Sequence, residues 1–100
     1  MFVVIFRARM AQPDAAYAEM AALLRALALE TFGCLEFHAL TEGDEEIALS
    51  YWPDLASIKA WKVQAEHLHA QNSGRDLWYD LYRVEIAEVS HAYAWTEARQ

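Results

Sequence analysis

An α+β fold, an antiparallel sheet carrying two helices on one face, is predicted by three observations. Strand-like and helix-like segments follow one another in the order β-α-β-β-α-β along 100 residues. Both helical segments open on a Pro-Asp pair, Pro13-Asp14 and Pro53-Asp54, residue types suited to a helix's first turn. The acidic stretch "TEGDEE" (41–46) separates two strand-like runs by a hairpin-sized gap.

Each element has its own justification. "FVVIFRAR" (2–9) alternates, with Phe2, Val4, Phe6 and Ala8 on one face and Val3, Ile5, Arg7 and Arg9 on the other, as a strand does. "AAYAEMAALLRALALE" has high helix propensity, and Tyr17, Met20, Ala21, Leu24, Leu27 and Ala28 fall on one stripe. After Gly33 alternation resumes in "FGCLEFHAL", with Leu35, Phe37 and Ala39 set against Glu36 and His38. "IALSYW" returns as the third strand, stopped by Pro53. The second helix stacks Leu55, Ile58, Trp61, Ala65 and Leu68 on one side and ends at "NSG" (72–74). "RDLWYDL" (75–81) reads as a short extra helical turn, and "YRVEIAEVSHAYAW" (82–95) as a long final strand. Its phase slips, because Val84 and Ile86 share one parity while Val89, Tyr93 and Trp95 share the other. A bulge near Ala87–Glu88 is expected, with the two halves serving different sheets or subunits. The element order is that of a ferredoxin-like fold, in a single domain spanning 1–100.

Composition narrows the function classes. The chain is 56% hydrophobic and 13% aromatic, more apolar surface than a lone domain of this size ordinarily hides, so a partner or ligand should cover some of it. The sheet face away from the helices mixes Arg7, Arg9, Glu36 and His38 with Val3, Ile5, Trp52 or their neighbours, and a second subunit is its natural cover. A net charge of −7 argues against nucleic acid and anionic membranes. One cysteine, Cys34, makes no intrachain disulfide, and the opening apolar run is too short for a signal peptide or a membrane span. A reducing, cytoplasmic location is expected.

The stretch "WKVQAEHLHAQNSGRDLWYDLYR" (61–83) crowds two Trp, two His, two Tyr and two Arg together. Trp61 is at the centre of the second helix's stripe, suited to a core or to a pocket wall. His67 lies about 120° round the helix from Trp61, at the stripe's edge, and an imidazole is the best proton acceptor at neutral pH. His69 is expected to face solvent. Trp78, Tyr79 and Tyr82 suit core or interface anchors, and Arg75 and Arg83 bracket them. A guanidinium near stacked rings stabilises an enolate, phenolate or carboxylate, while the plainer role for Arg83 is a cross-strand ion pair. No metal-ligand spacing, Gly-rich phosphate loop or nucleophile elbow occurs, so no metal or nucleotide is expected.

The ordered set "SYW", "IKAW" followed by "AEH", and "RVEIAEVSHAYAW" resembles the antibiotic biosynthesis monooxygenase (ABM) family, and the resemblance extends over nearly the whole chain. It implies a homodimeric α+β barrel with a pocket between each sheet and its helices, and a cofactor-free oxygenase acting on a quinol or polycyclic phenol. By the same resemblance Trp61, His67 and Arg83 are the candidate catalytic residues, although Ser57 stands where those oxygenases have a helix Asn. Phe6, Trp52, Trp78 and Tyr82 are the candidate substrate-binding residues. Two other functions share the scaffold: a non-catalytic dimer that binds a hydrophobic small molecule, and a haem-binding or haem-degrading relative.

Overall fold

The computed structural model describes residues 1–71 and 78–97. The elements are β1 (Phe2–Met10), α1 (Ala15–Glu30), β2 (Glu36–Glu42), β3 (Glu45–Trp52), α2 (Leu55–Gln71) and β4 (Tyr79–Glu88). They build an antiparallel sheet in the order β2-β3-β1-β4, the predicted ferredoxin-like α+β arrangement.

Both helices start where an aspartate carboxylate takes up a first-turn N–H. Asp14 accepts from the Tyr17 amide at 2.9 Å and Asp54 from the Ser57 amide at 2.7 Å, satisfying donors that the helix itself leaves unpaired. The β2–β3 hairpin is tighter than expected, since Glu42 pairs with Glu45 and only Gly43 and Asp44 lie between them. Gly43 has φ +62°, the left-handed conformation that a two-residue hairpin turn asks of its first position.

Register decides what each strand shows the helices. Phe2 lies opposite Trp52, Val4 opposite Ser50, Phe6 opposite Ala48 and Ala8 opposite Glu46. On the other flank Val4, Phe6 and Ala8 meet Ile86, Val84 and Tyr82. All of these side chains therefore share the helix-covered face, Trp52 included, and it is Tyr51 that joins Val3, Ile5, Leu49 and Ile47 on the opposite, open face. Leu55, expected in the α2 stripe, is exposed.

The final strand departs most from expectation. It begins at Tyr79 and ends at Glu88, so 89–97 form no strand within this chain. The register irregularity is at the other end from the one anticipated, where Arg9 faces Leu81 but Met10 faces Tyr79, leaving Asp80 as the extra residue. The expected helical turn over 75–81 falls partly outside the described residues, as does Arg75, and Tyr79–Leu81 belong to β4.

The core is in two parts. Val4, Ala28, Cys34, Trp52 and Ile58 form one buried cluster, with Phe2, Phe32, Phe37 and Trp61 against it. Ala8, Met10, Met20 and Trp78 form the other, with Phe6, Tyr17, Leu24 and Tyr79 against it. Burial pushes the Cys34 thiol up from its ordinary pKa, which keeps it a protonated core residue. Among the described residues no helix is long and apolar enough to cross a membrane.

Candidate functional site

Between the two core clusters, under the helices and over the sheet, lies a cavity of about 420 Å³, within the range of small-molecule sites. Small side chains hollow it out: Ala39 and Ala48 are register partners on the floor, and Ala21 and Ala65 lie on the helices. The wall is mostly apolar, with rings from Phe6, Phe37, Trp61, Tyr17, Tyr79 and Tyr82.

The cavity has two chemically different ends. At one, the Trp61 Nε1–H donates to the Leu24 carbonyl at 3.0 Å and ties α2 to α1. Its ring lies 5.3 Å from Trp52 and meets Phe37 edge-on at 6.2 Å. The Arg25 guanidinium lies 5.8 Å from the Phe37 ring centre, a cation–π distance. At the other end, the Tyr17 hydroxyl donates to the Glu46 carboxylate, and the Tyr17 ring meets Tyr79 edge-on at 5.8 Å. Tyr79 lies 5.4 Å from Tyr82 and 6.4 Å from the His69 ring. Tyr17 and Leu24 are seven residues apart on α1, so the two ends are separated by about 10 Å at 1.5 Å per residue. Burial, then the hydrogen bond to Glu46, then the nearby Tyr79 phenol hold the Tyr17 hydroxyl well above the usual phenol range. Tyr17 therefore remains a neutral donor at physiological pH.

The residues singled out in the sequence divide between this cavity and other places. Trp61, Phe6 and Tyr82 line it, the last two stacked with centroids 6.0 Å apart. Trp52 is fully buried beneath Trp61, its Nε1–H donating to Ser50 Oγ at 2.9 Å, and is no part of the wall. Trp78 is sealed in the second cluster, its Nε1–H donating to Asp14 at 3.1 Å. Arg83 is on the open face of the sheet, 3.0 Å from Glu85. Alternation dictates this, because Val84 and Ile86 point inward. His67 is exposed and does not line the cavity, whereas His69, expected in solvent, is half-buried and does. Helix geometry explains the exchange: at 100° per residue His69 is about 80° from Trp61 and His67 about 120°.

Tyr17, Glu46 and Tyr79 were not singled out as site residues. Tyr17 read as core stripe, and Glu46 as part of a turn. The parity of Glu46 with Ala48, Ser50 and Trp52 was the available signal, since it sets all four on one face. Among the described residues no group of three or more His, Cys, Asp or Glu side chains could hold a metal ion.

A four-stranded antiparallel sheet with two covering helices and an aromatic-walled cavity between them defines a small α+β protein built around an internal space. Residues 1–73 match the Antibiotic biosynthesis monooxygenase family, and the chain belongs to it. It is 34% identical to the uncharacterized protein YqjZ of Bacillus subtilis, over 88% of this chain and 78% of that one. It is 30% identical to the jasmonate monooxygenase of Pyricularia oryzae, over all of this chain but only 48% of that protein. Among solved structures, the cofactor-independent oxygenase SnoaB of Streptomyces nogalater shares the fold, with a TM-score of 0.71 at 15% identity, over 91% of this chain and 94% of that one.

Proposed function

We propose that the chain is a cofactor-independent monooxygenase that oxidises a small, electron-rich aromatic, a quinol or polycyclic phenol, inside the cavity. The observation that carries this reading is a ring-lined space of about 420 Å³ with a titratable imidazole at one end, in a member of a family named for monooxygenases. The phenol lies among Phe6, Tyr82 and Trp61, and His69 takes its proton. An aromatic anion passes an electron to dioxygen far more readily than the neutral phenol does. The balance closes without an external reductant, since a phenol with a free para C–H plus dioxygen gives a quinone plus water. His69 fills the role that the family resemblance suggested for His67, because a base must reach the proton it abstracts.

The test is oxygen consumption by metal-stripped protein against hydroquinones, polycyclic phenols and jasmonate, with His69→Ala and His67→Ala in parallel. Substrate-dependent uptake should fall about 10²-fold or more in His69→Ala and change by less than about twofold in His67→Ala. The opposite pattern would return the base to His67. Ligand-dependent thermal stabilisation without uptake would make the chain a non-catalytic binder, and a Soret band on adding hemin would favour the haem reading.

The active form in this proposal is a cytoplasmic homodimer joined through the open sheet face. There Leu40 is 77% and Ile47 44% exposed, beside the half-buried Val3, Ile5 and Leu49. An apolar stripe of this kind is what a second copy would cover.

A further inference from the structure

Glu46 is out of place for a solvated carboxylate. It shares the inward face of β3 with Ala48, Ser50 and Trp52, and its register partner Ala8 is 4% exposed. Turning a carboxylate inward costs desolvation unless donors meet it. Among the described residues the Tyr17 hydroxyl is such a donor. An ionised carboxylate offers about four lone-pair sites on its two oxygens, and Glu46 lines the cavity. The other titratable groups lining the cavity are Arg25 from α1, Lys62, Glu66 and His69 from α2, and Tyr79 and Tyr82 from β4.

We propose that Glu46, oriented by Tyr17, is a donor-reading subsite that selects cavity ligands carrying a hydroxyl or N–H at that end and rejects those carrying a carboxylate there. The proposal rests on the cavity being the ligand site. It adds a specificity-determining residue on β3, distinct from Phe6, Trp61, His69 and Tyr82, which carry the oxygenase reading. Tyr17 is a positioning residue: its only hydroxyl proton goes to Glu46, which fixes the carboxylate and leaves its remaining lone pairs for the ligand. A charge-assisted hydrogen bond is about twice as strong as a neutral one, so a methyl ether, with the same ring but no donor, gives up the gain. A carboxylate placed against the half-buried Glu46 adds like-charge repulsion.

The experiment is calorimetric titration under nitrogen, so that binding is read without turnover, using a naphthalenediol, its dimethyl ether and a naphthoic acid. Wild-type protein should prefer the diol over the ether by at least about tenfold and bind the acid more weakly than the ether. Glu46→Gln keeps the side chain's shape and an acceptor oxygen but removes the charge. It should reduce the diol preference to less than about threefold and strengthen binding of the acid. Tyr17→Phe should weaken the diol selectively. Equal loss for diol and ether would overturn the positioning role. An unchanged diol preference and unchanged acid affinity in Glu46→Gln would overturn the subsite and leave the cavity reading intact. Failure of all three probes to bind the wild-type protein would overturn both.

Discussion

Asp14 holds two parts of the molecule with one carboxylate. Its Oδ1 accepts from the Tyr17 amide at 2.9 Å, capping α1, and from Trp78 Nε1–H at 3.1 Å, tying the start of β4 to that cap. Trp78 is 1% exposed, so removing the acceptor leaves a buried indole N–H unpaired. Asp14→Ala should destabilise the protein by about 1–3 kcal/mol in urea unfolding, more than an ordinary cap loss. Asp14→Asn, which keeps an acceptor oxygen, should recover most of that. The residue scale is also where the sequence was least readable. Trp61, Phe6 and Tyr82 follow from stripe and parity, but a tryptophan's volume does not say whether it fills a core or borders a space. Trp52 and Trp61 touch each other, and only Trp61 reaches the cavity. Glu46 and Tyr17 were legible separately, by parity and by stripe. Their pairing across 29 positions depends on how α1 sits over β3, which no local pattern records.

At the scale of elements, the helix limits were readable because caps are local chemistry. The Ser57 amide, hydrogen-bonded to Asp54, holds that carboxyl below its ordinary range. A carboxylate with a lowered folded-state pKa contributes stability that is present above its unfolded value and lost as pH falls through the lowered one. Thermal melts from pH 7 down to pH 2 should therefore show part of the acid loss of stability disappear in Asp54→Asn, which caps without titrating. An unchanged acid limb would mean that other carboxylates set it. The limits of β4 were not readable, because a strand ends where its partner does. β4 follows β1 as far as Phe2 opposite Glu88, and Val89 N–H donates to the Met1 carbonyl at 2.9 Å. Alternation continues in "VSHAYAW" with no β1 residue opposite it. There Tyr93 is 89% and Trp95 83% exposed, and the parity break read in the sequence coincides with the chain leaving its own sheet.

For the whole molecule, the open sheet face and the exposed aromatic tail both follow from a chain with more apolar surface than two helices can cover. The homodimer proposed for this face predicts a dimer in sedimentation at tens of micromolar. Leu40→Glu combined with Ile47→Glu should shift it to monomer while leaving far-ultraviolet circular dichroism unchanged. A wild-type protein that stays monomeric at that concentration would remove the open face from the account. The strand order has a separate consequence, which concerns time. β1 is an inner strand whose two neighbours are β3, complete at Trp52, and β4, complete at Glu88. During synthesis at about 5–20 residues per second, β1 waits roughly 2–7 s between gaining its first neighbour and the arrival of the second. Through that interval "FVVIFRAR" presents an unpaired hydrogen-bonding edge with no charge before Arg7, open to any other nascent strand on the same message. Crowding of ribosomes on the message should therefore cost this protein soluble yield before it affects the stability of chains already folded.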